Sequence, residues 1–231
     1  MSTSEDIRRY RAGLLATDKY ASDRQRRLKR RAFETFDQFL RHRGRTGLLP
    51  GARLLDLGAA DGSFVAVARE RGLEASGLDI SDGVNFEHDA LPADDASLDI
   101  VTASSVIEHL ASPARLLAET GRVLRPGGAL ILVTPNWRYC MPSFFDDPTH
   151  VHPYTERSLA KLLANHGFRP VSVVPWLVKK PAWLWDLPHS FFAARYLLPF
   201  RGDAAGWIPG FLKGRSAALL ALGVKPDRQE R

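Results

Sequence analysis

Residues 54–64, Leu-Leu-Asp-Leu-Gly-Ala-Ala-Asp-Gly-Ser-Phe, constrain this chain more than any other stretch. An apolar run holds an acid near its end, a glycine turn follows, and Phe64-Val65-Ala66-Val67-Ala68 begins an apolar helical pattern. That order predicts a buried parallel strand, a tight loop and a helix N-terminus. Gly58 and Gly62 let main chain approach a ligand where a Cβ would collide. The carboxylate of Asp56 disfavours phosphate nearby and suits a cationic or polar ligand. A dinucleotide site would carry G-x-G-x-x-G and a helix N-terminus free to take pyrophosphate. Here the spacing is Gly-x-x-x-Gly behind an acid, so a nicotinamide-dependent oxidoreductase is the weaker reading.

From Arg53 to Val133 short apolar runs alternate with helical segments, which predicts repeated βα units and a parallel sheet. Ligands of such sheets bind beyond the carboxyl ends of the strands. Asp56, Asp79, Asp89 and Ser104 all fall on that edge. Asp79 follows the glycine loop by about 20 residues, the distance at which an acid can accept both hydroxyls of a ribose.

The glycine stretch resembles the first motif of the class I S-adenosylmethionine-dependent methyltransferases, and the resemblance extends along the chain. Gly77-Leu78-Asp79-Ile80 is similar to the second strand with its acid, and Asp89-Ala90-Leu91-Pro92 to the acidic loop after the third. Residues 98–101 with Val106-Ile107-Glu108-His109-Leu110 resemble the fourth strand and its helix. Arg122-Val123-Leu124-Arg125-Pro126-Gly127-Gly128 before Ala129–Val133 resembles the lead-in to the fifth. The resemblance implies a doubly wound α/β fold with a mostly parallel, seven-stranded, Rossmann-like sheet. It implies S-adenosyl-L-methionine as cofactor, bound by Asp56, Gly58, Ala59, Gly62, Asp79, Ile80, Asp89, Ala90 and Ser104. Asp89 would take the adenine amino group, and Ser104 would lie near the methionine part. Glu108 and His109 resemble a pair that, in ubiquinone-type O-methyltransferases, joins an acid three residues earlier in a metal-binding set. That earlier position is Ser105 here, and neighbours on a helix point about 100° apart, so no metal is expected.

The segment Asp146-Asp147-Pro148-Thr149-His150-Val151-His152-Pro153-Tyr154-Thr155 is the best candidate for substrate chemistry. It resembles the Pro-x-His-x-x-x-Tyr/Phe-Thr linker of bacterial small-molecule and glycan methyltransferases. An extended chain would put His150 and His152, the candidate catalytic residues, on one side, with Asp146 or Asp147 orienting one of them. Thr155 reads as the N-cap of a helix ended by Gly167. The acceptor is expected to be a small molecule, sugar or lipid-linked group methylated on oxygen with His150 as base, and N-methylation is the alternative. A non-catalytic cofactor-binding module is the alternative from another class.

A length of 231 residues with 45% hydrophobic and 25% charged residues suits one soluble domain with a sizeable core. Residues 1–50 read as a basic helical cap, 51–178 as the cofactor-binding core, and 179–231 as an aromatic insertion with a last strand. The cap groups Arg24, Arg26, Arg27, Lys29, Arg30 and Arg31, while Leu28, Phe33, Phe36, Phe39 and Leu40 recur at helical spacing. Tyr10 and Tyr20 could close over the cofactor. Net charge is +6, yet no aromatic-basic or zinc-spaced signature accompanies it, so no nucleic-acid partner is expected. Four of the five tryptophans lie at 176–207, which offers a satellite core, a substrate wall or a peripheral membrane foothold through 181–215. A polar N-terminus, a single cysteine and no run of about 18 uncharged apolar residues lead to a cytoplasmic expectation, with peripheral contact at the inner membrane face as its variant.

Overall fold

Alternation along the strands decides which layer each residue joins. In β1 (Arg53–Leu57), Leu55 and Leu57 face one side while Leu54 and Asp56 face the other. In β3 (Leu98–Ser104) and β4 (Leu124–Pro135) the same rule sends Val101, Ala103, Leu130 and Leu132 to the first side. Ile100, Ala129, Ile131 and Val133 go to the second. A sheet apolar on both faces must be covered on both, and it is. One cover is α1 (Asp23–Phe39) with α2 (Ser63–Glu70); the other is α3 (Ala114–Val123) with α5 (Glu156–Asn165).

The computed structural model describes residues 23–44, 46–176, 200–201 and 213–227. The remaining elements are β2 (Glu74–Leu78), the single-turn helix α4 (Trp137–Cys140), β5 (Val171–Pro175), the short β6 (Phe200–Arg201) and β7 (Lys213–Arg215), and β8 (Ala218–Val224). The main sheet has order β2-β1-β3-β4-β8-β5, and β6 pairs with β7 separately. Strands β1 to β4 pair in parallel, while β8 runs antiparallel to β4 and β5. The chain leaves β1 for β2 on one side and returns to β3 on the other, which puts a topological switch point between the carboxyl ends of β1 and β3. No helix among the described residues is long and apolar enough to cross a membrane.

Among the described residues the sheet has six strands, where seven were expected. The missing one is the third, between Asp79 and Asp89, and the reason is local. The Asn85 amide hydrogen goes to Asp89 Oδ2 at 2.7 Å, the Glu87 amide to Asn85 Oδ1 at 2.9 Å, and the Asp89 amide to the Asn85 carbonyl at 2.8 Å. Asn and Asp side chains thus take main-chain groups that a strand would need for its ladder. Arg122 then holds the following loop through the carbonyls of Leu91 and Ala93 and the carboxylates of Glu119 and Asp95. The last strand expected within residues 179–231 is β8.

The expected apolar face of the N-terminal helix is present, with Phe33, Phe36, Phe39 and Leu40 buried; Leu28 is outside it, 42% exposed. Phe36 stacks at 5.5 Å from Phe64 and 6.0 Å from Trp176, tying α1 to α2 and to the end of β5. Arg26 and Arg30 pair with Glu70, and Arg71 pairs with Glu34, across the same contact. Tyr10, Tyr20 and most of the aromatic stretch 181–215 lie outside the described residues.

Phe36→Ala should cost about 3–5 kcal/mol, the usual loss for a buried phenylalanine. Urea denaturation followed by circular dichroism reads this directly, and an unchanged midpoint would put α1 outside the cooperative fold.

Candidate active site

The glycine loop is fastened to the end of β2. The amides of Gly58 and Ala59 donate to the Leu78 carbonyl at 2.7 and 3.3 Å, and the Ala60 amide donates to Asp79 Oδ2 at 3.0 Å. Asp79 is buried, its Oδ1 accepts the Ser81 amide, and its own amide donates to Asp82. Gly58 and Gly62 both adopt positive φ, 72° and 70°, which favours glycine at each. A Cβ on Gly77 would stand 2.6 Å from the Ala59 Cβ and 3.0 Å from Val65, so this strand glycine permits the close approach of loop to sheet. The sequence reading attached no role to Gly77; a lone glycine inside a strand pattern is the signal that could have found it.

Beside this loop lies an open cleft of about 360 Å³, lined in part by Ala59, Gly62, Gly77 and Asp79. Ala59, Gly62 and Asp79 of the sequence-predicted set therefore share one cavity. Ile80 follows Asp79 in a single 3-10 turn, half-buried. Asp56 is one layer deeper: it is buried and its Oδ1 accepts the Thr102 hydroxyl at 2.7 Å across the β1–β3 pair. Ser104 closes β3 opposite Val133, half-buried at the switch point. Asp89 and Ala90 are exposed, do not line the cleft, and belong to the turn in place of the third strand.

The second cluster gathers beyond β3 and β4. Glu108 and His109 lie in a single 3-10 turn rather than a regular helix. The Glu108 carbonyl accepts the amides of both Val151 and His152, at 2.9 and 3.0 Å, and so pins the loop that carries the histidines. That loop is not extended. It begins as a 3-10 helix, Met141–Asp146, and turns through Asp147, whose Oδ1 accepts the Thr149 amide and hydroxyl at 2.9 and 2.6 Å. His150 and His152 consequently have different surroundings. The His150 ring lies 4.8 Å from that of His109 and 4.6 Å from Phe144, whereas His152 stacks on Tyr154 at 4.8 Å. Asp147 Oδ2 lies 3.9 Å from His150 Nε2, beyond hydrogen-bond distance, and the ring is held instead at Nδ1 by the Phe144 carbonyl. Thr155 caps α5 as expected, reciprocally with Ser158, and Gly167 follows the helix end at φ 84°.

Hydrogen bonding fixes the tautomer of two rings. His150 Nδ1 lies 2.7 Å from the Phe144 carbonyl, which can only accept, so Nδ1 carries the hydrogen and the neutral ring keeps its lone pair on Nε2. His109 Nδ1 faces the Thr149 carbonyl at 3.3 Å and the Thr149 hydroxyl oxygen at 2.9 Å. That hydroxyl gives its hydrogen to Asp147, so His109 Nδ1 is again the donor and Nε2 the base.

Glu108 itself is wholly buried, with Oε2 accepting the Thr134 hydroxyl at 3.0 Å and Oε1 without a hydrogen-bond partner. Burial pushes its carboxyl up to about 7; the Thr134 hydroxyl and the nearby hydrogens of its own main chain and Ser105 pull the other way, and the Asp147 charge adds to the rise. Burial, then the Glu108 charge, also pushes the Tyr154 phenol up. From sequence His109 was weighed only as half of a metal-binding pair with Glu108, and Thr134 and Thr149 were given no site role, because each acquires its place only through contacts distant along the chain.

Comparison with known proteins bears on the family and the fold. A family profile described as a methyltransferase domain matches residues 20–173. The 37.1 kDa protein of transposon TN4556 from Streptomyces fradiae is 30% identical over 192 residues, 75% of this chain and 52% of its own length. A probable S-adenosylmethionine-dependent methyltransferase of Mycolicibacterium smegmatis is 40% identical over 80 residues, 34% of this chain and 31% of that protein. The chain thus spans about half of the first of these relatives and about a third of the second. A demethylmenaquinone methyltransferase of Renibacterium salmoninarum is 29% identical over 190 residues, 76% of this chain and 75% of that one. The crystal structure of an S-adenosylmethionine-dependent methyltransferase from Mesorhizobium loti shares the fold, with a TM-score of 0.58 at 17% identity over 84% of this chain and 100% of that chain.

The raised carboxyl of Glu108 sets a pH dependence. Its ordinary value is 4.5 and its folded value about 7, so between these the folded chain holds a proton that the unfolded chain has lost. Stability should be full below about pH 4.5 as far as this group is concerned, and should fall as pH rises to 7, by on the order of 3 kcal/mol. Glu108→Gln should flatten that part of the profile in denaturation at pH 5 and 8. A parallel fall in the variant would show that another group is responsible.

Proposed function

The chain belongs to the methyltransferase-domain family, and on that premise we propose that it methylates a hydroxyl of a small-molecule, sugar or lipid-linked acceptor. S-adenosyl-L-methionine is the cofactor, and when bound it supplies an activated methyl group on a sulfonium centre. The cleft beside the glycine loop suits such a group. Gly62 has open space where a Cβ would stand, Gly77 keeps Ala59 close to the sheet, and Asp79 presents buried acceptor oxygens. We assign Asp56, Gly58, Ala59, Gly62, Asp79, Ile80 and Ser104 to cofactor binding and leave out Asp89 and Ala90.

In a displacement of this kind the protein's chief contribution is alignment, where effective molarity can account for about 7–11 kcal/mol. A hydroxyl must also lose its proton, and a positioned base adds about 10²–10⁴-fold. His150 is assigned that role. The observation that carries it is the bond from His150 Nδ1 to the Phe144 carbonyl, which leaves the lone pair on Nε2 in a half-buried ring near the carboxyl edge. Once Nε2 has taken the proton, Asp147 Oδ2 at 3.9 Å stabilises the imidazolium. His152, stacked on Tyr154, is assigned to the wall of the acceptor site.

Calorimetric titration with S-adenosylhomocysteine should give micromolar binding that Asp79→Ala weakens, since that change removes both the acceptor oxygens and the anchor of the Ala60 amide. Equal affinity in the variant would move the cofactor elsewhere. His150→Ala should lower turnover with a hydroxyl acceptor by about 10²–10⁴-fold while cofactor affinity stays nearly constant. Undiminished turnover would remove His150 as the base.

A further inference from the structure

We propose that Glu108, His109 and His150 form a binding site for one divalent first-row transition-metal cation of the zinc class. One potential ligand atom from each of the three residues lies within 4.8 Å of the other two. Tetrahedral ligands at about 2.0–2.2 Å from zinc sit roughly 3.4 Å apart, so modest side-chain rotation closes the set. Two imidazoles and a carboxylate are the donors that such cations prefer over magnesium or calcium.

Two further observations separate this set from a chance cluster. Glu108 is wholly buried and its Oε1 has no hydrogen-bond partner, although a buried carboxylate oxygen normally has one. A cation would supply that partner. Both rings also carry the supporting contacts that orient metal-binding histidines. His150 donates from Nδ1 to the Phe144 carbonyl, and His109 donates from Nδ1 to Thr149, whose hydroxyl donates in turn to Asp147. Acceptors behind Nδ1 hold the ring, fix the Nε2 lone pair and raise its basicity. A nearby second carboxylate, Asp147, adds negative charge to the neighbourhood.

Neighbours in a 3-10 turn diverge by about 120°, yet a ligand atom of Glu108 and one of His109 still lie within 4.8 Å of each other and of one on His150. The third ligand comes from a loop forty residues on, held in place by the bonds from Val151 and His152 to the Glu108 carbonyl. Three protein ligands leave a fourth position open to water or to an oxygen of a small molecule. A cation there takes the His150 lone pair, so the site holds either the cation or a proton on that nitrogen. The inference does not depend on methyl transfer, because it concerns binding to the chain alone.

The test uses the full chain stripped with a chelator and titrated calorimetrically with Zn²⁺, with Co²⁺ absorption as a second readout. One Zn²⁺ per chain is expected, together with Co²⁺ ligand-field bands of a four-coordinate site. His109→Ala and Glu108→Gln should each weaken binding by more than tenfold and change the Co²⁺ spectrum. Thr149→Val should weaken it by about 10–100-fold through loss of the orienting acceptor. His166→Ala, on a histidine bonded to Leu162 in the C-terminal turn of α5, should leave it unchanged. Glu108→Gln keeps the side-chain shape, and thermal unfolding confirms that each variant is folded. No Zn²⁺ binding, or equal affinity in Glu108→Gln and His109→Ala, overturns the proposal.

Discussion

The Glu108 carbonyl, accepting two amides from the loop at Val151 and His152, is the contact on which the second half of the site depends. It brings a segment from beyond β4 across the ends of β3 and β4. The Trp137 amide bonded to the Tyr154 carbonyl, and the bridge between Asn136 and Tyr154, hold the far end of the same loop. The side chain below that carbonyl is a carboxyl group buried under both segments, bonded to Thr134 of β4. Burying a carboxylate is costly, and the rise of Glu108 to about 7 is the measure of that cost. A residue chosen for stability alone would be apolar here. An acid at this position opposes folding near neutral pH.

The other half of the site rests on Asp79 in a comparable way. Its carboxylate anchors the glycine loop through Ala60 and starts the following 3-10 turn through Ser81. Each carboxylate oxygen has a second lone pair, so these bonds and a ligand's hydroxyls are compatible. The protein's own hydrogen bonds place the loop, and Gly77 lacks the Cβ that would hold it off the sheet. Alternation puts Asp56 and Thr102 on the α1–α2 side of the sheet, where their mutual bond satisfies a buried acid beside the switch point. The two acids therefore differ in kind: Asp79 borders the cleft, and Asp56 supports it from inside the sheet.

What could be read from the sequence was what depends on near neighbours. Residues 54–68 specify strand, glycine loop and helix by apolar run, turn chemistry and helical period, all within one unit. Thr155 announces its helix by a cap three residues from Ser158. The third strand failed on the same scale, because Asn85 and Asp89 compete for main-chain hydrogens in a segment that has only Val84 and Phe86 to recommend it as a strand. The pairing of His109 with Thr149 spans forty residues and required the whole sheet to be in place. No periodicity encodes it. The extended reading of residues 146–155 put His150 and His152 on one side, and the turn at Asp147 undoes that symmetry by absorbing the Thr149 amide and hydroxyl.

That turn also explains why the cluster has a defined chemical state. A histidine in water exchanges its hydrogen between two nitrogens, and a site built from such rings presents a mixture of donors and acceptors. Here a carbonyl stands behind Nδ1 of His150, and a threonine whose hydrogen is already committed to Asp147 stands behind Nδ1 of His109. Both rings are held in the form with a basic Nε2. A proton acceptor and a metal ligand need the same thing from an imidazole, a lone pair kept on one nitrogen and aimed by the other. The loop geometry supplies it twice, beside a buried acid with one oxygen unpaired. If His150 is the base and also a cation ligand, as proposed, proton and cation compete for the one lone pair on its Nε2.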